Sequence, residues 1–238
     1  MEKKFSLVIP LLAKEDHIEE VLFDHHKGLL EAFGENSFEI ILVINGDNKL
    51  DQEKKIINRS DISNVVEVRT KKGGLGFAIK EGLLEACGEH VCYTNGSYAP
   101  VSEVIKIFKY AQVDSSVLVK ASRIHRESKT RERISFIYNM LVRAILKIPA
   151  LDLNAAPKAI SREVLNKIPK MPSDDGFFDV ELMYWSFLNG VPIVEIPIKW
   201  EQRRGGFTNT NWKTLLRFAK GIFILKWNNF NNKDFWLK

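Results

Sequence analysis

The sequence predicts an α/β domain: a mostly parallel central sheet with helices on both faces. Three observations carry this. Short apolar runs alternate with stretches of helical periodicity along almost the whole chain, the pattern of a layered α/β domain. One run, Phe38-Glu39-Ile40-Ile41-Leu42-Val43-Ile44, is nearly continuous, as a strand covered on both faces must be. Three runs end in turn residues: 5–9 at Pro10, 38–44 at Asn45-Gly46-Asp47-Asn48, and 91–94 at Asn95-Gly96-Ser97. Ligands of open α/β sheets sit beyond the carboxyl ends of the strands. Three such ends therefore predict one shared crevice.

The elements follow in order. Residues 5–9 form a first strand stopped by Pro10. Asp16, with Glu19 three residues on, opens a helix in capping-box fashion, and Ile18, Val21, Leu22, His25 and Leu29 form its inner stripe. His25 lies on that stripe with no third ligand near, so packing explains it better than metal binding. Residues 54–58 are weakly helical and 65–68 a short strand. Lys71-Lys72-Gly73-Gly74-Leu75-Gly76 then opens a helix with Ala78, Ile79, Leu83 and Ala86 inward. Glycines at a helix N-terminus beside two lysines can hold an anion, although Ile79 breaks the dinucleotide fingerprint and no Walker lysine is present. Residues 89–94 form the central strand, 102–110 a helix and 116–121 a strand. The charged stretch 123–133 reads as a loop, and 134–148 as a helix with Ile134, Ile137, Tyr138, Leu141, Ile145 and Ile148 on one stripe. A strand–turn segment occupies 151–160, and Ser161 caps a short helix. A helix spans 178–189 and stops at Gly190, and 191–200 is the last strand.

The division expected is 1–211 for the α/β domain and 212–238 for a C-terminal helix and tail. Over 212–227, Lys213, Arg217 and Lys220 fall on one side, and Leu215, Leu216, Ala219, Ile222 and Phe223 on the other. Such a helix either rests on a membrane surface or packs on the domain with a solvated basic face.

Bulk properties narrow the function. With 238 residues the chain has room for a full core. A net charge of +5 favours anionic partners such as phosphates, nucleotides or a membrane surface. No nucleic-acid reader motif is present, so nucleic acid is not an expected partner. Cys87 and Cys92 fit neither a zinc site nor a CxxC pair, and Cys92 reads as a small buried hydrophobe. Residues 1–5 show no signal-peptide core, and no apolar run is long enough to span a bilayer. A cytoplasmic protein, peripheral at the inner face of the membrane, is the expectation.

Seven stretches, in order and spacing, resemble the family 2 glycosyltransferases of the GT-A fold, in particular the dolichyl-phosphate mannose synthase-like branch. They are Ser6-Leu7-Val8-Ile9-Pro10 with Glu15 and Ile18; 38–48; the glycine-rich 73–82; 91–97, at the position of the metal-binding DxD; 151–158, like "xDxTSGFR"; Phe178-Asp179-Val180-Glu181-Leu182, like "FDxEL"; and Val194-Glu195-Ile196-Pro197-Ile198 leading into Arg203, Gly206 and Thr208. The resemblance implies transfer from a nucleotide-sugar held at the strand ends to a lipid-phosphate or glycan acceptor. It implies donor contacts from Pro10, Glu15, Asn45, Asp47, Lys72, Gly76, Asn95 and Ser97, and phosphate contacts from Lys158, Arg203 and Arg204. Asp179, Asp175 and Glu181 are the catalytic candidates, with Asp47 and Asp174 as further acid-base groups.

The sequence departs from the family where a divalent metal would sit. Asn95 and Ser97 occupy the DxD positions, and Ile44 and Asn45 those of the donor-strand aspartates. Neutral side chains are poor ligands for a hard cation. No cofactor is therefore assigned, and Mg²⁺ or Mn²⁺ would fall to Asp47. Cations such as Lys71, Lys72, Lys158, Arg203 and Arg204 would then offset the diphosphate charge. The alternative is an inactive binding or scaffolding subunit. Retention of Asp152, Asp179, Glu181, Arg203 and Gly206 favours the enzyme. A sugar nucleotidylyltransferase fits less well, because its glycine-rich signature is missing after Ile9.

Overall fold

The computed structural model describes residues 3–12, 18–45, 62–94, 99–123, 129–168, 171–198 and 212–231. Asp16 and the stretch 54–58 lie outside them. The strands are β1 (Phe5–Leu12), β2 (Phe38–Asn45), β3 (Val65–Thr70), β4 (His90–Tyr93), β5 (Leu118–Arg123), β6 (Lys158–Ser161) and β7 (Ile193–Ile198). They form one sheet in the order β3-β2-β1-β4-β6-β5-β7. β6 runs antiparallel to both neighbours, β4 and β5, while the other pairs are parallel.

Both faces of the sheet are covered, which is why β2 is apolar throughout. Its side chains alternate between two cores. Phe38, Ile40, Leu42 and Ile44 point to a layer with Leu22 and Leu29 of α1 (Ile18–Phe33) and Val104, Ile107 and Phe108 of α3 (Val101–Ala111). Ile41 and Val43 point to the other layer, with Ala78 and Ile79 of α2 (Leu75–Glu85) and Phe178, Val180, Leu182 and Met183 of α6 (Phe178–Leu188). His25 is buried on α1 with Nδ1 2.7 Å from the Val21 carbonyl, and burial lowers its pKa. That is the packing role expected of it. The one polar residue inside β2, Glu39, is buried and accepts from Ser6 Oγ at 2.5 Å and from the Cys87 amide at 2.6 Å.

Several boundaries differ from expectation. Pro10 does not stop β1, which pairs with β2 through Leu12. The reason is the ladder geometry. Thr94 N donates to Val8 O at 3.0 Å, so Pro10, two residues on, turns its missing N–H past the end of β4, where no partner is needed. The helix expected from residue 134 starts earlier, at Lys129, so part of the presumed loop is helical: α4 spans Lys129–Leu146. Its inner face is also rotated. Tyr138, Val142, Ile145 and Leu146 pack inward, while Ile137 and Leu141 are exposed. Ser161 does cap the short helix α5 (Arg162–Lys167), accepting from Val164 N at 3.1 Å. Gly190, with φ +71°, follows the end of α6 in the left-handed conformation.

The last helix, α7, runs Trp212–Asn231. Phe218, Ile222 and Leu225 join the core, and Gly221 sits against Phe177, where a Cβ would come within 2.9 Å of the ring. This face differs from the expected one. Ile222 is inward, but Phe223 is exposed.

Candidate active site at the strand ends

Three described segments meet near the carboxyl end of β2, on the side where the crevice is expected. The first is the end of β2. Asn45 is buried, donates through Nδ2 to Gly74 O at 2.8 Å, and accepts at Oδ1 from Thr70 Oγ1 at 3.4 Å. It ties β2 to β3 and to the glycine turn before α2.

The second is that glycine turn. A Cβ at Gly74 (φ +135°) would lie 2.2 Å from Asp174 O, and one at Gly76 would lie 2.6 Å from Asp175 O and 2.7 Å from Ser173 O. Phe77 N donates to Asp174 O at 3.1 Å. The glycines thus admit the 173–176 backbone, and one amide at the α2 N-terminus, expected to hold an anion, is satisfied by this chain's own carbonyl.

The third is the 171–177 segment itself. Asp174 pairs with Lys72 at 2.5 Å and Lys80 at 2.8 Å, and these two hydrogen bonds, Lys72 first, hold its carboxyl below the usual carboxylate range. Asp175 accepts from Phe177 N at 2.8 Å and pairs with Arg217 of α7 at 3.0 Å. Glu181 accepts from Ser173 N at 3.0 Å and Ser173 Oγ at 2.7 Å. Burial raises the pKa of Glu181, against the lowering effect of those two bonds.

Behind these segments runs a polar row across the sheet. Register places Tyr93 opposite Lys158, Lys158 opposite Lys120, and Lys120 opposite Glu195, on β4, β6, β5 and β7. Directly paired residues share a face, so all four point to the α6 side. There Asp179, in the first turn of α6, accepts from Tyr93 Oη at 2.7 Å and pairs with Lys158, whose ammonium also lies 5.4 Å from the centre of the Tyr93 ring. Lys120 donates to Glu195 at 2.7 Å and to Ala121 O at 2.7 Å. Glu195 also accepts from Leu151 N at 2.7 Å, and beside it Arg123 forms a bidentate pair with Asp152, both bonds 2.7 Å. Burial is the leading cause of each shift in this row. It raises the Tyr93 phenol, lowers Lys158 against the pull of Asp179, and lowers Lys120 to about 8 against that of Glu195.

The expected site residues thus separate. Asn45, Gly76, Lys72 and Asp175 gather around the glycine turn, and Pro10 lies in β1 among the converging strand ends. Lys158 and Asp179 are paired beneath them, out of contact with solvent, rather than lining the crevice. Glu181 anchors the 173 turn. Glu15, Asp47, Asn95, Ser97, Arg203 and Arg204 lie outside the described residues. The sequence reading missed Lys80, Lys120 and Tyr93 as partners. A lysine inside the apolar run Val117-Leu118-Val119-Lys120-Ala121 was the available signal, because a buried ammonium demands a carboxylate.

Among the described residues no group of three or more His, Cys, Asp or Glu is placed to hold a metal ion. Asn95 and Ser97 offer no carboxylate.

A mostly parallel seven-stranded sheet with one antiparallel strand and helices on both faces is the architecture of a GT-A nucleotide-sugar transferase fold. No family model matches the chain. Curated relatives do. The dolichyl-phosphate β-glucosyltransferase of Dictyostelium discoideum is 22% identical over 240 residues, covering 93% of this chain and 73% of the relative. The Homo sapiens protein of the same name is 23% identical over 246 residues, covering 93% and 75%. Among solved structures, glucosyl-3-phosphoglycerate synthase from Mycobacterium tuberculosis, in complex with Mn²⁺, UDP and phosphoglyceric acid, superposes with a TM-score of 0.68 at 19% identity, covering 94% of this chain and 77% of that one. The chain has the GT-A fold and is similar in sequence to dolichyl-phosphate β-glucosyltransferases.

Proposed function

We propose that this protein transfers a sugar from a nucleoside-diphosphate donor to a phosphate-bearing acceptor, and that the acceptor is a polyprenyl phosphate. One observation carries the reading: the sequence aligns over 93% of its length with dolichyl-phosphate β-glucosyltransferases. The sheet order that opens the crevice is consistent with it. UDP-glucose is the first donor to test, because a structural neighbour binds it.

In this reading an acceptor phosphate oxygen attacks the anomeric carbon. The new C–O bond forms as the bond to the nucleoside diphosphate breaks, and the electron pair leaves with the diphosphate. An acceptor phosphate is already ionised near neutral pH and needs no general base. That suits a site whose buried carboxylate, Asp179, is already paired with Lys158 and Tyr93. Lys72, Arg203 and Arg204 are the cations proposed to offset the departing charge in place of a metal. Asn45, Asp47, Asn95 and Ser97 are proposed at the donor, and Asp175 and Glu181 hold the turn facing it. Among the described residues no helix is long and apolar enough to cross a membrane. A lipid acceptor would then be met at the cytoplasmic membrane surface by a peripheral protein.

The test is product formation from labelled UDP-glucose with three acceptors in parallel: a polyprenyl phosphate, the matching alcohol and 3-phosphoglycerate. Labelled lipid from the phosphate but not from the alcohol is expected. Transfer to 3-phosphoglycerate alone would replace the lipid acceptor with a soluble one. No turnover, together with no binding of UDP, would overturn the proposal.

A further inference from the structure

α4 and α7 lie side by side and run in the same direction. The rings of Tyr138 and Phe218 sit 6.0 Å apart, and about two turns further on Lys226 donates to the Ile145 carbonyl at 2.8 Å. Each helix turns one face to the core, Tyr138, Val142, Ile145 and Leu146 in α4 and Phe218, Ile222 and Leu225 in α7. Each also carries a second apolar row that no described residue covers. On α4 it is Phe136, Ile137, Met140 and Leu141, from 50% to 68% exposed. On α7 it is Phe223, Ile224 and Trp227, from 47% to 69% exposed. Neighbours at i+3 and i+4 share a helix face, so each set is one stripe.

Single exposed apolar side chains are ordinary, but two adjacent stripes of them mark an interaction surface. The charge around them identifies the partner. Arg133 and Lys147 bracket the α4 row, and Lys220 begins the α7 row at i−3 from Phe223. The two helices carry four basic residues each and a single acidic one, Glu132. A second copy of the chain would bring like charges together, which opposes association. A bilayer with anionic headgroups offers what this surface lacks: negative charge at the rim and hydrocarbon beneath it.

We infer that the α4–α7 face docks on an anionic lipid bilayer, with the two apolar rows entering the headgroup region and Arg133, Lys147 and Lys220 among the lipid phosphates. The expected amphipathic surface of α7 alone is thereby replaced. Its Ile222 side belongs to the core, and the docking face is the outer one, doubled by α4. Docking would bring the proposed transfer site to a lipid acceptor, yet it stands on this surface and is measured without donor or acceptor. Failure of the transfer reaction leaves it intact.

The experiment is sedimentation of the full chain with vesicles of phosphatidylcholine, with and without phosphatidylglycerol. Binding only to the anionic vesicles, released by high salt, is expected. Arg133→Gln with Lys220→Gln should weaken it roughly 25-fold, about fivefold for each basic residue removed near an anionic surface. Met140→Glu and Phe223→Glu, both at exposed positions, should each weaken it at least about tenfold with circular dichroism and melting unchanged. Equal, salt-insensitive binding to both vesicle types would overturn the anionic partner. Absence of binding would overturn docking, as would a dimer that Met140→Glu disperses while vesicles fail to bind.

Discussion

Lys158 and Asp179 form a salt bridge inside the protein, with 1% and 7% of their side chains exposed. The same Asp179 oxygen also accepts from Tyr93. Tyr93 closes β4, two residues before Asn95, so this pair fixes the end of that strand. Buried pairs are costly to break from one side because the remaining charge has no water to turn to.

Asp179→Ala should therefore destabilise the protein by about 3–5 kcal/mol. Lys158→Met with Asp179→Leu should be less harmful than the two single changes added together. Tyr93→Phe, which removes a bond to a charged acceptor, should cost about 1.5–3 kcal/mol. Urea denaturation reads each of these variants. A loss below about 1 kcal/mol for Asp179→Ala would mean that the pair is not closed in solution.

Lys120 makes stability depend on pH in an unusual direction. Its folded pKa is lowered to about 8, chiefly by burial, from an unfolded value near about 10.4. Between those values the unfolded chain binds more protons, so stability rises with pH across the window from about 8 to about 10.4. Below it, the buried ammonium is a standing cost of order 3 kcal/mol in total, at about 1.36 kcal/mol per pH unit. Lys158 is shifted the same way and adds to the slope. Lys120→Met with Glu195→Gln, which keeps an acceptor for the Leu151 amide, should flatten the dependence measured by urea titrations through this range. An unchanged slope would remove Lys120 as its source.

How much of this was legible depends on whether a residue's role is local. β2 could be read because a strand covered on both faces needs an unbroken apolar run. Ser161 could be read because a cap acts within three residues. The glycine turn was read as an anion cradle because Gly74 and Gly76 stand beside two lysines. What fills the space is the 173–176 backbone, about a hundred residues away in sequence, and no local pattern announces it. Pro10 misled for a similar reason. Whether it ends a strand depends on how far β4 extends beside it. Lys158 and Asp179 were expected at the crevice through their motifs, but the antiparallel pairing of β6 with β4 sets Lys158 against Tyr93 and turns both beneath α6. The outer row of α4 was missed because Ile137 and Leu141 fit a helical stripe about as well as Val142 and Leu146 do.

The Lys72–Asp174 pair makes a separate prediction. Lys72 is well exposed and one of its charges' partners is Asp174, so the pair competes with any anionic ligand for that ammonium. Asp174→Asn should raise the affinity for UDP by about two- to fivefold, the scale of a screened surface pair, while Lys72→Ala should lower it. The same Asp174→Asn change should speed amide hydrogen exchange at Ser173 and Phe178 as the 173–177 turn loosens. Calorimetry and exchange mass spectrometry read the two effects. A fall in UDP affinity on Asp174→Asn would show that the carboxylate itself contributes to the ligand site.

The last prediction concerns charge at the donor. The proposal puts neutral Asn95 and Ser97 at the position expected of the metal-binding DxD, and gives the diphosphate to cations of the chain instead. UDP should then bind with nearly the same affinity in EDTA as in Mn²⁺. Arg203→Ala should weaken binding by about 1.5–3 kcal/mol, as for a hydrogen bond between charged groups. The two measurements are complementary, since a protein that uses arginine in place of a metal must lose affinity in the second and keep it in the first. A large drop on chelation would return the role to a metal, with Asp47 the carboxylate to substitute next. Unchanged affinity on Arg203→Ala, with the melting temperature intact, would leave Lys72 and Arg204 to carry the diphosphate.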